Sequence, residues 1–419
     1  MPRDHASCRA TCQGDPQWHH AGSATRRGAG RVVGTLILPV VMLGRLAGTP
    51  QLALAYEAPA GIASAVEVSG ARRTPASGEL ENLPPLAEFL AVLRPDRPRL
   101  VLTSTHIASL RALVASDATA RSQFTRLAQV GQRLLDIPVS GRASTAPRPV
   151  PGIRRTIDRI SCLSLLHVID GDLRWSMRAT EEMRALADAP DWNPAYFLDV
   201  AETTAAMALG YDWLHATLDK AARDVIRAAI IDKGLRAMDA AYRQQAGWVT
   251  AGSDWTAACN AAAIVAALAV ANDEPDLAHS VASRAVSALP FAVAPYASDG
   301  GWPDGPAYWD ASTGALAIAG AALESAIGTD LRLCSSPGLV AGLTYRLHVT
   351  GTTGLVFNYA DCVDRVDMDP AVEWLGHRSG DPWVAAEARA RAGATVRPFN
   401  VAWRSEEHTS ELQSRFGIS

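Results

Sequence analysis

The 419-residue sequence is poor in aromatic residues, at 6%. With 48% hydrophobic content, alanine and leucine must supply most of the core surface, which favours helices over sheets. Charge of one sign is also scarce. A net charge of -4 with no basic stripe argues against a nucleic-acid binder, and it is too small to set the charge of a substrate. Long apolar runs are absent near the amino terminus. Val32 to Gly44 is too short to span a bilayer and has the length of a signal-peptide core. No fixed repeat is visible, which disfavours an ankyrin- or TPR-type array. Cysteine is sparse, with six in total. Cys8 and Cys12, with His19 and His20, lack a second ligand pair at finger spacing, so neither a metal nor another cofactor is expected.

What is present divides the chain into five stretches. Arg26, Arg27 and Arg31 precede the short apolar run, and Ala53-Leu54-Ala55 offers a small-x-small cleavage site before Tyr56. Residues 1–55 therefore read as an export leader, which predicts a periplasmic or secreted protein with no stable membrane span after its removal. Residues 56–97 are rich in Pro, Ala and Glu and read as an irregular linker. Residues 98–395 carry the helical domain, and 396–403 read as the first strand of a further sheet. Residues 404–419 are set apart: RSEEHTSELQS (Arg404 to Ser414) resembles the in-frame translation of a sequencing-library adapter. That tail is excluded from fold reasoning, and the natural chain is expected to continue past Trp403.

Apolar periodicity predicts a helix carrying Ile107, Leu110 and Leu113, capped by Thr103 or Ser104, and another over Ala120–Leu135. A series then follows: Ile153–Ile169, Leu173–Ala187, Tyr196–His215, Lys220–Ala246, Trp255–Asn272, Pro275–Ala294 and Ala311–Ile327. Short links such as Asp170-Gly171-Asp172 make neighbours antiparallel, which gives a solenoid or a closed α/α toroid. Tyr345 to Cys362 is β-branched and Gly-punctuated and reads as a short hairpin. Helices resume at about Pro370–Leu375 and Pro382–Arg391. Cys162 and Cys259 lie in apolar helical patterns, where buried free thiols are expected, although export would permit a disulfide.

The least ordinary stretch is Tyr296 to Thr313, YASDGGWPDGPAYWDAST. Gly300, Gly301, Pro303, Gly305 and Pro306 exclude a regular helix through it. An aromatic and acidic loop between helices suits a polar ligand with flat faces, such as a sugar; equally, its Trp residues could plug the core.

Several blocks together carry a family resemblance. These are FLDVAETTAAMALGYDWL (197–214), IRAAIIDKGL (226–235), DWTAACNAAA (254–263), DGGWPDGPAYW (299–309), FNYADC (357–362) and WLGHRSGDP (374–382). Collinear from Pro98 to Trp403, they resemble the heparinase II/III-like proteins, polysaccharide lyases and relatives of the alginate-lyase superfamily. The resemblance implies an all-α, (α/α) toroid of helical hairpins followed by a β-sandwich, of which this chain would hold only the start. It also implies an enzyme that cleaves a uronate-containing polysaccharide by β-elimination, and the leader predicts that it is exported.

Such a reaction removes a carbon-bound proton beside a carboxylate. It needs donors that neutralise the carboxylate, a base near the proton and an acid near the leaving oxygen. A Tyr can serve as both if a cation lowers its pKa. The resemblance places Tyr308 in that role. Where relatives carry a neutral Asn before the Cys-Asn pair, this chain has Asp254, followed by Trp255, Cys259 and Asn260. An ionised Asp254 facing a substrate carboxylate at 4 Å would be repelled by about 4 kcal/mol at an effective dielectric of 20. Asp254 is then protonated, or another group neutralises the substrate, or the substrate is no uronate; it could also simply cap the helix from Trp255. Asn260 either faces the cleft or is a buried hydrogen-bonding residue. Trp302, Trp309 and Trp255 are candidate sugar platforms. Asp304 stands where relatives carry Glu, and Tyr196 where they carry His. Glu202 and Asp212 either line the cleft or bridge helices, and His348 and Asp361 could reach it from the hairpin. Two other readings stay open: a toroidal glycoside hydrolase drawing its carboxylates from Asp254, Asp304 and Asp310, and a non-catalytic glycan binder stacking sugars on Trp302, Tyr308 and Trp309.

Overall fold

The computed structural model describes residues 79–139, 156–296, 299–392 and 395–404. The leader, the first part of the 56–97 stretch, most of the loop after Pro138 and the tail beyond Arg404 lie outside them. The helices, in chain order, are α1 (Leu86–Val92), α2 (Ser104–Ser116), α3 (Ala118–Asp136), α4 (Thr156–Asp170), α5 (Leu173–Asp188), α6 (Phe197–Trp213), α7 (Lys220–Ala229) and α8 (Arg236–Arg243). They continue as α9 (Asp254–Val270), α10 (Pro275–Val293), α11 (Pro306–Ile327), α12 (Pro337–His348), α13 (Ala371–Arg378), α14 (Pro382–Ala390) and α15 (Pro398–Ala402). The only β pairing among the described residues is an isolated antiparallel bridge, Thr350 to Val356. The protein is all-α there.

Local chemistry starts these helices. The side chains of Thr103, Asp117, Asp172, Asp219 and Asp381 accept a hydrogen bond from the first-turn N–H groups of α2, α3, α5, α7 and α14. Pro275, Pro306, Pro337, Pro382 and Pro398 each take the first helical position, where a missing N–H costs nothing. Between α7 and α8 the chain makes a π-helical turn, Ile230–Leu235. There Gly234 lies so close to α6 that a Cβ would sit 2.8 Å from the Thr204 hydroxyl.

The Ala-rich α9 is the core element. Its residues from Ala261 to Val270 are buried on every face, as expected of a helix apolar all round. Helices α6, α10 and α11 pack directly against it, and α4 packs on the far side of α6. Their directions follow from shared partners. The ends of α6 (Asp212), α9 (Leu268, Ala269) and α11 (Ser325) all bond to one segment, Arg97–Val101. Past the end of α6, Thr217 Oγ1 bonds His167 Nε2 from the end of α4 at 2.9 Å. At the opposite end the Tyr196 ring, before α6, meets the Trp255 ring at the start of α9, with centroids 4.9 Å apart. Thus α4, α6, α9 and α11 run parallel, and α5, α7–α8 and α10 return between them.

Four expectations need correction. Helix α11 begins at Pro306 rather than Ala311, because Pro306 opens the helix instead of breaking it. The expected hairpin from Tyr345 is mostly helix: α12 runs through His348, and only the Thr350–Val356 bridge follows. Residues 396–403 do not form a strand, since Pro398 starts α15. The described part of the 56–97 stretch is not merely linker. It forms α1, whose buried Phe89 contacts the His279 ring on α10 at 5.6 Å between centroids.

Candidate functional site

The parallel run of α4, α6, α9 and α11 gathers their N-terminal turns at one end of the bundle. The positive ends of the helix dipoles point there, which suits an anionic ligand. The residues at this end are Asp158 on α4, Tyr196 and Glu202 at α6, Asp254 and Trp255 on α9, and Tyr308 with Asp310 on α11.

Asp254 is the first residue of α9, with 6% of its surface exposed. It is not the N-cap: Ser253 and Thr256 form a reciprocal capping box, with the Ser253 N–H donating to Thr256 Oγ1 at 3.2 Å. Trp255, Tyr196 and Glu202 are half-buried. Asn260 is fully buried. Its Oδ1 accepts from the Tyr242 hydroxyl at 2.7 Å, and its Nδ2 donates to the Thr256 carbonyl at 2.7 Å. Of the two readings open for Asn260, the structure shows the buried hydrogen-bonding one, and the cleft-facing, substrate-binding one is not formed.

The described part of the Tyr296–Thr313 stretch, Tyr296 and residues 299–313, folds inward. Trp302 and Trp309 are 2% and 0% exposed, and both lie edge-on to the buried Tyr296 ring, at 4.9 and 6.2 Å. The Tyr296 hydroxyl bonds Thr313 Oγ1 at 2.8 Å, and the Trp309 indole donates to the Gly300 carbonyl at 3.0 Å. Gly300, at φ +76°, crosses α12 so closely that a Cβ would lie 2.0 Å from the Gly342 nitrogen. Neither tryptophan offers a ring face to a ligand, so the expected sugar platform on Trp302 and Trp309 is not formed; they are core plugs.

A second segment clamps the same loop. The Tyr359 hydroxyl donates to the Trp302 carbonyl at 2.6 Å, which leaves Tyr345 as donor in the 2.6 Å bond between the two hydroxyls. The Ala307 N–H donates to Cys362 Sγ at 3.3 Å. Gly305, at φ +92°, has no room for a side chain: a Cβ would meet Cys362 Cβ at 2.6 Å and the Tyr359 carbonyl at 2.7 Å. The sequence blocks 299–309 and 357–362 thus interlock, and they hold Tyr308 in the first turn of α11 at 5% exposure. Asp304 is half-buried at the loop.

Behind Tyr308 runs a chain of charges that sequence reading missed. Arg346 on α12 donates from Nε to Asp310 Oδ2 at 2.8 Å. The Asp369 N–H reaches Asp310 Oδ1 at 3.3 Å, and Arg397 donates to Asp369 Oδ2 at 2.9 Å. Burial pushes the Asp310 pKa up to about 6 against the pull of Arg346. Burial also raises Asp369, opposed chiefly by Arg397. Asp158 is open to water yet closely walled, and desolvation raises its pKa while Arg397 pulls it down. Arg346 lay in a stretch read as a strand, so nothing in the pattern flagged it.

Other candidates fall elsewhere. Asp212 is buried at the opposite end and accepts from the Arg99 and Leu100 N–H groups at 2.7 and 2.8 Å, so it fastens the chain rather than lining a cleft. His348 and Asp361 are exposed. Cys162, Cys259, Cys334 and Cys362 are buried free thiols, and burial pushes the Cys162 thiol up to about 12. No group of three or more His, Cys, Asp or Glu suited to a metal ion occurs among the described residues.

No protein-family model matches the chain, and no curated protein matches it significantly.

Proposed function

We propose that this chain carries the (α/α) toroid of an exported, heparinase II/III-like polysaccharide lyase, with Tyr308 as base and acid in β-elimination on a uronate-containing glycan. The observation that carries the reading is the convergence of separate sequence blocks. Residues 197–214, 254–263 and 299–309 each bring the start of a parallel helix to the same end, and 357–362 braces the last of them. The helix dipoles at that end favour a bound carboxylate and a developing enolate, and they are set against the carboxylates of Asp158, Glu202 and Asp254 there. The Tyr308 hydroxyl would take the proton beside the carboxylate and return one to the leaving glycosidic oxygen.

Magnitudes decide the role of Asp254. The dipole of α9 offsets up to about 1 kcal/mol for an anion in its first turn, against the roughly 4 kcal/mol of repulsion that a facing carboxylate would cause. Asp254 therefore serves a substrate hydroxyl, and the carboxylate is held elsewhere on backbone N–H groups of this end. Asp310 is committed to Arg346, which removes it from any pair of hydrolytic carboxylates.

The test is to incubate the full chain with polyuronates and glycosaminoglycans, following ultraviolet absorbance of unsaturated uronate and the release of reducing ends. Both signals should rise together, and Tyr308→Phe should lower the rate about 100-fold or more. Reducing ends without absorbance would identify a hydrolase instead, and an undiminished Tyr308→Phe enzyme would remove Tyr308 from the chemistry.

A further inference from the structure

A surface cavity of about 320 Å³ lies between α10 and the segment before α9. Ser283, Arg284, Ser287 and Phe291 project from one face of α10, Thr250 stands opposite, and the Tyr242 ring contributes to the lining. The spacing 283, 284, 287, 291 follows the helical repeat, so these side chains form a continuous stripe. The volume is at the lower end of the range for small-molecule sites.

Three features give the cavity a chemical character. Arg284 is exposed and makes no hydrogen bond or ion pair among the described residues, whereas Arg346, Arg378 and Arg397 are all engaged with carboxylates. A free guanidinium is a planar, multi-donor partner for a carboxylate or sulfate. Beside it stand three hydroxyls, from Thr250, Ser283 and Ser287. Ser287 spends its proton on the Ser283 carbonyl at 2.8 Å, which leaves its oxygen as an acceptor. Phe291 is an exposed aromatic ring at the end of the stripe, able to cover the apolar face of a pyranose.

The lining is also braced. The Tyr242 hydroxyl is fixed to Asn260 of α9 at 2.7 Å, and its ring lies 5.3 Å from that of Trp248, edge-on. Thr250 precedes Asp254 by one short turn, and Gly252 abuts Pro295 and the Phe291 carbonyl. The cavity thus adjoins the start of α9, outside the row of parallel helices.

We infer that this cavity is a binding site for an acidic saccharide, with Arg284 taking the sugar carboxylate or sulfate and Phe291 the ring face. The ligand class rests on the lyase reading, and the residues that form the site do not. Titration calorimetry of the full chain with tetragalacturonate and a hyaluronan tetrasaccharide tests it, with cellotetraose as the neutral comparison. At least one acidic oligosaccharide should bind, more weakly as salt rises, and cellotetraose should not. Arg284→Gln should weaken binding about tenfold and Phe291→Ala should weaken it as well, both with an unchanged circular dichroism spectrum. Tyr308→Phe should leave this binding intact. If no substrate is turned over while Arg284-dependent binding persists, the lyase reading fails and the site stands. Absence of binding by both acidic probes, equal binding of cellotetraose, or indifference to both substitutions overturns the site.

Discussion

Asp212→Ala should be among the most destabilising single changes at the joint where the helices end. The carboxylate is 0% exposed. Its Oδ2 accepts from two backbone N–H groups, Arg99 at 2.7 Å and Leu100 at 2.8 Å, and its Oδ1 accepts from Arg97 at 3.1 Å. Alanine leaves both N–H groups without an acceptor, at about 1–3 kcal/mol each. It also removes one acceptor from Arg97, which keeps the Ala269 carbonyl. These costs overlap, and together they come to roughly 4 kcal/mol. Burial raises the Asp212 pKa even with Arg97 and the two N–H groups pulling it down, so the negative charge itself is held at a cost. Asp212→Asn keeps an acceptor oxygen for the two N–H groups and should lose only about 1–2 kcal/mol. Urea unfolding of the three proteins, compared at constant m-value, measures both differences. An alanine variant that loses less than about 1 kcal/mol, or an asparagine variant as damaged as the alanine one, would refute this reasoning.

Gly300→Ala should destabilise by about 3 kcal/mol or more, because the added carbon meets backbone atoms of Ala341 and Gly342 at 2.0–2.3 Å and φ is +76°; thermal unfolding should show it, whereas Gly328→Ala, at φ +80° but with nothing within 4 Å, should cost only backbone strain. The Asp310 pKa lies at about 6 in the fold against 3.8 for a free carboxyl. The stability this group contributes is therefore present in full below about pH 4 and lost as pH rises through 6, a change of roughly 3 kcal/mol. Asp310→Asn should remove that part of the pH dependence in denaturant titrations, and an unchanged slope would contradict the assignment.

The sequence made some of this readable and not the rest, for physical reasons. Periodic apolar spacing located α5 almost to the residue, and with a proline at the start it did the same for α10. The same residue type misled at Pro306 and Pro398, since a proline that ends one segment is equally suited to the first position of a helix. Tyr345 and His348 sat in β-branched surroundings, yet the packing of Leu343 and Leu347 extends α12 through them. For the site, residue types were legible and burial was not. Trp302 and Trp309 in a Gly- and Pro-rich loop look the same on paper whether they face a sugar or the core. The choice follows from Gly300 and Gly342, which let the loop press onto α12. Asp310 drew notice as a carboxylate, but its partner Arg346 is 36 positions away. Arg284 carried no signal, because an arginine among serines on a helix is usually a solvated face.

The π-helical turn between α7 and α8 works as a phase-setter. An α-helix advances about 100° per residue, and a π turn amounts to one residue inserted into that count. Everything after Leu235 is rotated relative to the helix that α7 alone would have continued. Tyr242 lies beyond that turn, and it is the side chain that both fixes Asn260 and backs the cavity beside Arg284. Deleting a single residue from Ile230–Leu235 would return the segment to one uninterrupted α-helix and swing Tyr242 away from α9. A single length change there would thus withdraw a hydrogen bond from the core and a wall from the surface cavity together, without altering any residue that touches either.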